Sequence, residues 1–245
     1  MIVDAHAHVG VSWPEEGVRP TVADAIAMMD RAGVDAACTS ASRFLRCDMR
    51  AGNRVTQEAV RQFPDRLFGF VVLSPREREA SLQEADRYLG SEGFRGIKIH
   101  RSHNSVDYDD SRYDPIYAKG QEYLVPVLAH TFSPAEVGQL VNAARRFPAV
   151  SFIVGHSGGY SWADCLETMA SVPNTFLDVC ASCTDIGRVE AFVDLVGAQR
   201  VVYGTDNPFL EPSHCLAQVR AAEISEPERE LILGGNILRL LGERV

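Results

Sequence analysis

Ile2-Val3-Asp4-Ala5-His6-Ala7-His8, near the start of the chain, is the stretch from which the fold can be worked out. Apolar and polar residues alternate along it, and this period of two predicts a β-strand. Side chains two apart in a strand point the same way, so His6 and His8 should share one face. Two imidazoles at this spacing can bind one metal ion, although a pair of hydrogen-bonded structural histidines would give the same pattern.

The rest of the chain repeats a strand followed by a helix. Further apolar segments with strand character, each followed by a helical pattern, are 35–40, 67–73, 94–100, 124–130, 150–156, 175–179 and 200–205. Such alternation predicts parallel strands joined by helical crossovers. Eight units predict an α/β fold, a (β/α)8 TIM barrel formed by a single domain over residues 1–245. An open doubly wound sheet is the alternative, but no glycine-rich dinucleotide fingerprint follows the first strand.

Composition limits the class of protein. The chain has 245 residues, 46% of them hydrophobic and 23% charged, as in ordinary globular proteins. Its net charge of −9 argues against nucleic acid or an anionic membrane surface as a partner. No apolar run has the length of a membrane span, and no signal peptide is visible. The six cysteines have no framework spacing, which predicts reduced thiols and a cytoplasmic protein.

Polar residues gather where the predicted strands end. His6 and His8 end the first strand, and Asp206 follows the last; the fourth, fifth and sixth strands end at His100, His130 and His156. Barrel enzymes place their chemistry at this carboxyl face. Imidazole and carboxylate ligands suit a borderline divalent metal such as zinc, so the pattern predicts a metal site. The remaining histidines, His103 and His214, lie away from strand ends.

Four stretches together resemble the amidohydrolase superfamily, in the branch called amidohydrolase 2. They are Asp4-Ala-His6-Ala-His8, Gly96-Ile-Lys98-Ile-His100, His130 with Gly155-His156-Ser-Gly-Gly159, and Tyr203-Gly-Thr-Asp206-Asn-Pro208. The ending 232–242 resembles the closing helix of the same branch, so the likeness runs from end to end. The chain is shorter than many members, which implies trimmed substrate loops and a trimmed dimer-forming insertion.

The resemblance implies one divalent metal ion, usually zinc, and assigns roles to particular residues. By this likeness the metal ligands are His6, His8, His130 and Asp206, and His156 acts beside the metal as a general acid or base. We also expect Asp206 to accept a proton from the water that the metal activates. Asp4 is expected either to orient one of the two histidines near it or to be a buried, hydrogen-bonded carboxylate.

These expectations lead to a metal-dependent hydrolase of a small ester, lactone or amide. The first alternative is a metal-dependent, non-oxidative decarboxylase of an aromatic or unsaturated carboxylic acid. The second is a barrel that binds a small ligand without turnover. The expected partner is a small-molecule substrate, and a homodimer is a further possibility.

Substrate contacts are expected from residues near the same face. His100 and Lys98 are two residues apart in the predicted strand, so we expect both side chains to point the same way, into the barrel. We expect Lys98 to be unmodified, rather than carbamylated and bridging two metal ions. Arg43 and Arg101, together with Arg46, lie in loops on the active face and could bind a substrate carboxylate. Cys180 and Cys183, like Trp13 and Tyr160, are read as pocket or core residues.

Overall fold

A computed structural model describes residues 1–10, 20–180 and 185–243. Within these residues, eight parallel strands pair in the order in which they occur in the chain. The strands are β1 (Val3–His8), β2 (Ala36–Ser40), β3 (Leu67–Val72), β4 (Phe94–His100), β5 (Val127–His130), β6 (Phe152–Gly155), β7 (Thr175–Asp178) and β8 (Val201–Val202). The predicted (β/α)8 TIM barrel is therefore confirmed. Trp13 and Cys183 lie outside the described residues.

The barrel closes through the segment that follows β8. Strand β8 has only two residues, whereas the sequence predicted a longer strand over 200–205. The reason lies in its hydrogen bonds, since the backbone N–H of Ala5 donates to the carbonyl of Tyr203 (2.8 Å) and that of Asp206 donates to the carbonyl of His6 (2.7 Å). An isolated parallel bridge joins Ala7 to Asn207. This irregular closure brings Asp206 directly beside the two histidines of β1.

Helices follow the strands and cover the outside of the barrel. In chain order they are α1 (Val22–Ala32), α2 (Met49–Gln62), α3 (Arg78–Leu89), α4 (Arg101–Asn104), α5 (Asp114–Glu122), α6 (Pro134–Arg146), α7 (Trp162–Ala170), α8 (Arg188–Val196), α9 (Pro212–Ala221), α10 (Glu226–Glu230) and α11 (Asn236–Leu240). No helix in the described parts of the chain combines the length and the apolar character that crossing a bilayer requires.

Capping residues define where several helices begin. Thr21 forms a capping box with Asp24 at the start of α1, and Ser133 accepts a hydrogen bond from the backbone of Glu136 at the start of α6. Two segments depart from a plain alternation of strand and helix. The segment after β4 begins with the short helix α4, and a π-helical turn, Leu231–Gly235, separates α10 from α11.

Apolar side chains fill two regions of the barrel. The larger cluster lies between the strands and the surrounding helices, as in other barrels of this type. A smaller cluster joins residues of strands that are not neighbours, such as Ala5 of β1, Phe70 of β3 and Leu128 of β5, together with Ile237 of α11. Side chains of such strands can meet only in the barrel interior. The polar site therefore rests on a packed apolar floor.

Candidate metal and active site

A cavity of about 340 Å³ opens at the carboxyl ends of the strands. Among the residues that line it are His8, Arg43, His100, His103, His130 and Asp206. A second cavity, of about 470 Å³, lies beside Phe68 and Phe94 at the amino ends of β3 and β4 and contains no histidine among its lining residues. The first cavity is therefore the candidate site, on the face that the sequence predicted.

His6 is buried and held from both sides of its ring. Its Nδ1 lies 2.8 Å from Oδ2 of Asp178, and its Nε2 lies 2.8 Å from Nζ of Lys98. A lysine ammonium can only donate, so Nε2 accepts and Nδ1–H donates to Asp178. This arrangement fixes one tautomer, in which the Nε2 lone pair accepts from Lys98 and would bind an ion only in place of that hydrogen bond. A carboxylate behind the imidazole is also the usual support of a metal-binding histidine.

His8 faces acceptors at both ring nitrogens. Its Nε2 lies 2.9 Å from Oδ1 of Asp206, and its Nδ1 lies 3.1 Å from the carbonyl oxygen of Ser40. Since that carbonyl can only accept, Nδ1 carries a proton that it donates to Ser40. Nε2 and the Asp206 carboxylate therefore face each other at a distance that a proton or a shared cation can bridge.

Among the described residues, two groups of side chains have the spacing of a metal site. The ligand atoms of His6, His8 and Asp206 lie within 4.8 Å of one another, and so do those of His6, His156 and Cys180. The structure thus brings together three of the four residues expected as metal ligands. His130 belongs to neither group among the described residues, and its ring lies 4.7 Å from the ring of His156.

Burial sets the charge of the groups in this site. Burial lowers the pKa of His6 well below its usual range, and Lys98 and His156 lower it further. Burial also lowers the pKa of Lys98 to about 8, against the opposing effect of Asp206 and Asp178. For Asp206, burial would raise the pKa, but the hydrogen bond to His8 and the nearby histidines lower it well below its usual range. At neutral pH the site therefore holds the neutral imidazole of His6 beside the ionised carboxylate of Asp206.

His156 and Asp206 both adopt the left-handed backbone conformation, with φ of 63° and 65°. This conformation is uncommon outside glycine, and such strain often occurs at functional sites. Buried Arg188 stabilises the turn at His156, because its guanidinium donates to the carbonyl of His156 (3.0 Å) and to that of Val179 (3.2 Å). Nδ1 of His156 lies 3.4 Å from Sγ of Cys180.

Three imidazoles form a stack along one wall of the cavity. The ring centroids of His100 and His103 lie 3.6 Å apart, and those of His100 and His130 lie 4.0 Å apart, with nearly parallel planes. His103 also faces the carbonyl of Ser42 through Nδ1 at 3.0 Å. Burial lowers the pKa of His103 to about 4. The stack is therefore a flat, uncharged surface at neutral pH.

The residues predicted to contact the substrate do not all lie at the cavity. His100 lines the cavity and Lys98 lies beneath it, completely buried. Arg43 also lines it, with its guanidinium carbon 5.0 Å from the ring centroid of Phe209. Arg101 is not among the residues that line this cavity, and its guanidinium forms an ion pair with Asp107 at 2.7 Å. Of these two arginines, only Arg43 lies at the site.

Asp4 supports the site through the backbone rather than through an imidazole. Its carboxylate accepts hydrogen bonds from the backbone N–H of His6 (2.9 Å) and of Thr205 (3.0 Å), and from the Thr205 hydroxyl. The alternative of a buried, hydrogen-bonded carboxylate is thus the one that this geometry favours. Tyr160 is 70% exposed and contacts Phe132 at the rim.

Sequence reasoning missed two residues of the site. Asp178 ends the otherwise apolar strand β7, and that isolated charge was a signal that its side chain needs a partner. His103 was set aside because it lies away from the strand ends, but α4 folds it back onto His100. No pattern in the sequence gives the position of so short a helix, so His103 could not have been assigned.

Gly204 leaves the space that the His6–Asp178 pair occupies. A Cβ at this position would lie 2.9 Å from Cβ of His6 and would overlap Oδ1 of Asp178. We expect Gly204→Ala to destabilise the fold by about 1–3 kcal/mol, the usual effect of overpacking. The measurement is urea unfolding. Gly138→Ala on α6 is the matched control, since its Cβ would meet no atom within 4 Å, and equal stability of the two variants would contradict the expectation.

Comparison with known proteins bears on the family. A family model described as Amidohydrolase matches residues 3–242. The chain is 25% identical over 231 residues to 2-amino-3-carboxymuconate-6-semialdehyde decarboxylase of Dictyostelium discoideum, covering 76% of this chain and 64% of that protein. It is also 25% identical over 245 residues to gamma-resorcylate decarboxylase of Polaromonas sp. strain JS666, covering 78% of this chain and 75% of that one. The chain thus spans about two thirds to three quarters of these relatives.

Among solved structures, the chain resembles a dihydroxybenzoic acid decarboxylase from Polaromonas sp. JS666 with bound manganese and an inhibitor, 2-nitroresorcinol. The TM-score is 0.79 at 19% identity, and the match covers 98% of this chain and 96% of that one. This likeness supports the barrel fold.

The expected main activity, a hydrolase of esters, lactones or amides, is wrong. The curated relatives that match most of this chain are named decarboxylases, which favours the alternative reading. The expectation failed because hydrolases and decarboxylases of this kind share a polar, metal-binding site at the same strand ends. The identity of the residues that bind a metal ion does not determine which substrate bond is broken.

Proposed function

Because the chain belongs to the amidohydrolase family, we propose that it is a metal-dependent, non-oxidative decarboxylase of an aromatic or unsaturated carboxylic acid. The observation that carries this proposal is the convergence of His6, His8 and Asp206 on one point beside His156, in a chain related to decarboxylases.

One divalent ion is proposed at His6, His8 and Asp206. The donor set fits, because two imidazoles and a carboxylate suit a divalent transition metal, and Asp178 supports the His6 ring. Bound there, the ion would attract the negatively charged oxygens of an acidic substrate and stabilise charge that develops on them. The sequence led us to expect zinc. We propose manganese as the working ion, in line with the manganese in the Polaromonas structure.

The walls of the cavity suit a flat, negatively charged molecule. The stacked rings of His100 and His103 offer a planar surface against which an aromatic or conjugated group can lie. Arg43, beside Phe209, is placed to bind a carboxylate through charge-assisted hydrogen bonds. A cavity of about 340 Å³ is within the range of small-molecule sites.

The reaction requires one proton and no oxidant. The bond between the carboxyl carbon and its neighbour breaks, carbon dioxide leaves, and the electron pair remains on the substrate carbon, which then takes up a proton. Burial lowers the pKa of His156, but the nearby carboxylates of Asp206 and Asp178 oppose this effect, and the imidazolium form of His156 is the proposed proton donor. Lys98, which lies at His6 under the site, would offset negative charge on the bound acid.

Asp206 has a simpler role in this reaction than in hydrolysis. No water has to be deprotonated, so the proton acceptor that we expected is not required. Its ionised carboxylate lies 2.9 Å from Nε2 of His8 and would serve as a ligand of the ion. Its side chain remains 20% exposed, so it is also in reach of the substrate.

Arg43→Ala should raise KM about tenfold to a hundredfold with a smaller change in kcat. A charge-assisted hydrogen bond contributes about 1.5–3 kcal/mol, and its loss weakens binding of the acid. Steady-state kinetics with an accepted acid give both constants. Arg101→Ala is the control, because its guanidinium pairs with Asp107. An unchanged KM in Arg43→Ala would place the carboxylate elsewhere in the cavity.

Product analysis tests the proposed activity. Manganese-loaded protein is incubated with two panels, one of hydroxybenzoic and unsaturated acids and one of lactones, esters and amides. We expect carbon dioxide and the corresponding decarboxylated product from at least one acid. New acid from the second panel, without carbon dioxide from the first, would overturn the proposal.

A further inference from the structure

Cys180 adds a thiol to the site that the proposed reaction does not use. It is completely buried, and its Sγ lies 3.4 Å from Nδ1 of His156. With His6 and His156 it forms the second group whose ligand atoms lie within 4.8 Å of one another. All three members are buried, so an ion among them would be shielded from water.

The two groups share His6 but differ in their chemistry. His8 and Asp206 complete the first group with an imidazole and a carboxylate, a donor set that a hard ion such as manganese accepts. The second group replaces the carboxylate with sulfur, which prefers soft ions such as cadmium and binds zinc well. His6 offers only Nε2, because its Nδ1–H donates to Asp178. One nitrogen lone pair binds one ion, so occupation of the two groups should be mutually exclusive.

We propose that His6, His156 and Cys180 form a site for soft, thiophilic divalent ions, such as cadmium, that competes with the manganese site. The thiol loses its proton to solvent as the metal–sulfur bond forms. An ion held there would engage the His156 ring, which could then no longer act as the proton donor. Thiophilic ions should therefore inhibit the enzyme although they are divalent. This inhibition rests on the proposed function, but binding to Cys180 does not.

Cadmium binding tests the site without any turnover. Cadmium is titrated into metal-free protein while the ultraviolet charge-transfer absorption of a cadmium–thiolate bond is recorded. We expect about one equivalent to produce the band in the parent protein, and Cys180→Ser to lose it. Cys38→Ser, a buried thiol outside both groups, and Cys47→Ser, an exposed thiol, should keep it. A band that survives in Cys180→Ser would assign cadmium to another thiol and overturn the proposal.

Manganese binding, measured by electron paramagnetic resonance, is the reciprocal test. A variant that still binds manganese is also shown to be folded. Cys180→Ser should bind manganese with unchanged affinity, whereas Asp206→Asn should weaken manganese at least about tenfold and keep the cadmium–thiolate band. Cadmium should also displace manganese from the parent protein. Simultaneous binding of both ions would contradict the shared His6. If the band behaves as expected but no carboxylic acid is turned over, the proposed function fails and the site stands.

Discussion

His156→Ala should lower kcat by about a hundredfold or more and should leave the manganese content near one ion per chain. The size of the effect is that of removing a general acid–base group. The ion should stay because His6, His8 and Asp206 form a complete group without His156. The measurement pairs kcat with metal content for the same preparation.

A matched control for this variant is His214→Ala, on α9. His214 lies outside the cavity formed at the strand ends, so its removal should leave kcat near the parental value. Near-parental kcat in His156→Ala would mean that the proton comes from another group, with Asp206 the next candidate. Loss of manganese in His156→Ala would instead make His156 a ligand.

Asp206→Asn should weaken manganese binding by about tenfold to a hundredfold or more and should lower activity at limiting metal. Substitutions that only disturb the support of a ligand already have effects of this size. The amide keeps one oxygen that can bind weakly but loses the negative charge that lies 2.9 Å from His8. Excess manganese should therefore restore part of the activity. Manganese titration followed by activity at each concentration measures both effects.

The control for Asp206→Asn is Asp110→Asn, an aspartate that forms an ion pair with Arg112 and does not line the cavity. Its manganese affinity should equal that of the parent. An Asp206→Asn protein with parental affinity would show that the ion is held by other groups, and the ligand assignment would have to be rebuilt.

Much of the site could be predicted because parallel strands of a barrel end on the same face. Once His6 and His8 were assigned to the first strand and Asp206 to the segment after the last, the fold had to bring them together. The same logic placed His100 on the cavity wall. These predictions needed only strand order and side-chain parity, which a sequence carries.

The contacts between side chains could not be predicted in this way. That His6 has Asp178 behind it and Lys98 in front depends on which groups meet across the barrel interior. The stacking of His103 on His100 depends on the short helix α4, and the pairing of Arg101 with Asp107 depends on how the next loop folds. Each of these contacts depends on how separate segments of the chain pack together, which the hydrophobic periodicity of one segment does not show.

The expected position of His130 shows where strand-end reasoning loses resolution. His130 does lie at the end of β5, opposite His100 in the sheet register. Its ring nevertheless stacks on His100 at 4.0 Å and does not join the ligand group of His6, His8 and Asp206. The position of a residue at a strand end predicts on which face of the barrel it lies. The side-chain rotamer then determines which ligand atoms come together.

Decarboxylation in heavy water tests the central claim most directly. The manganese-loaded protein is given an accepted acid with a ¹³C-labelled carboxyl group in D₂O, and the products are analysed by mass spectrometry and NMR. We predict labelled carbon dioxide together with a product that carries one deuterium on the carbon that held the carboxyl group. A product that keeps the labelled carboxyl group and gains oxygen from water would contradict the account.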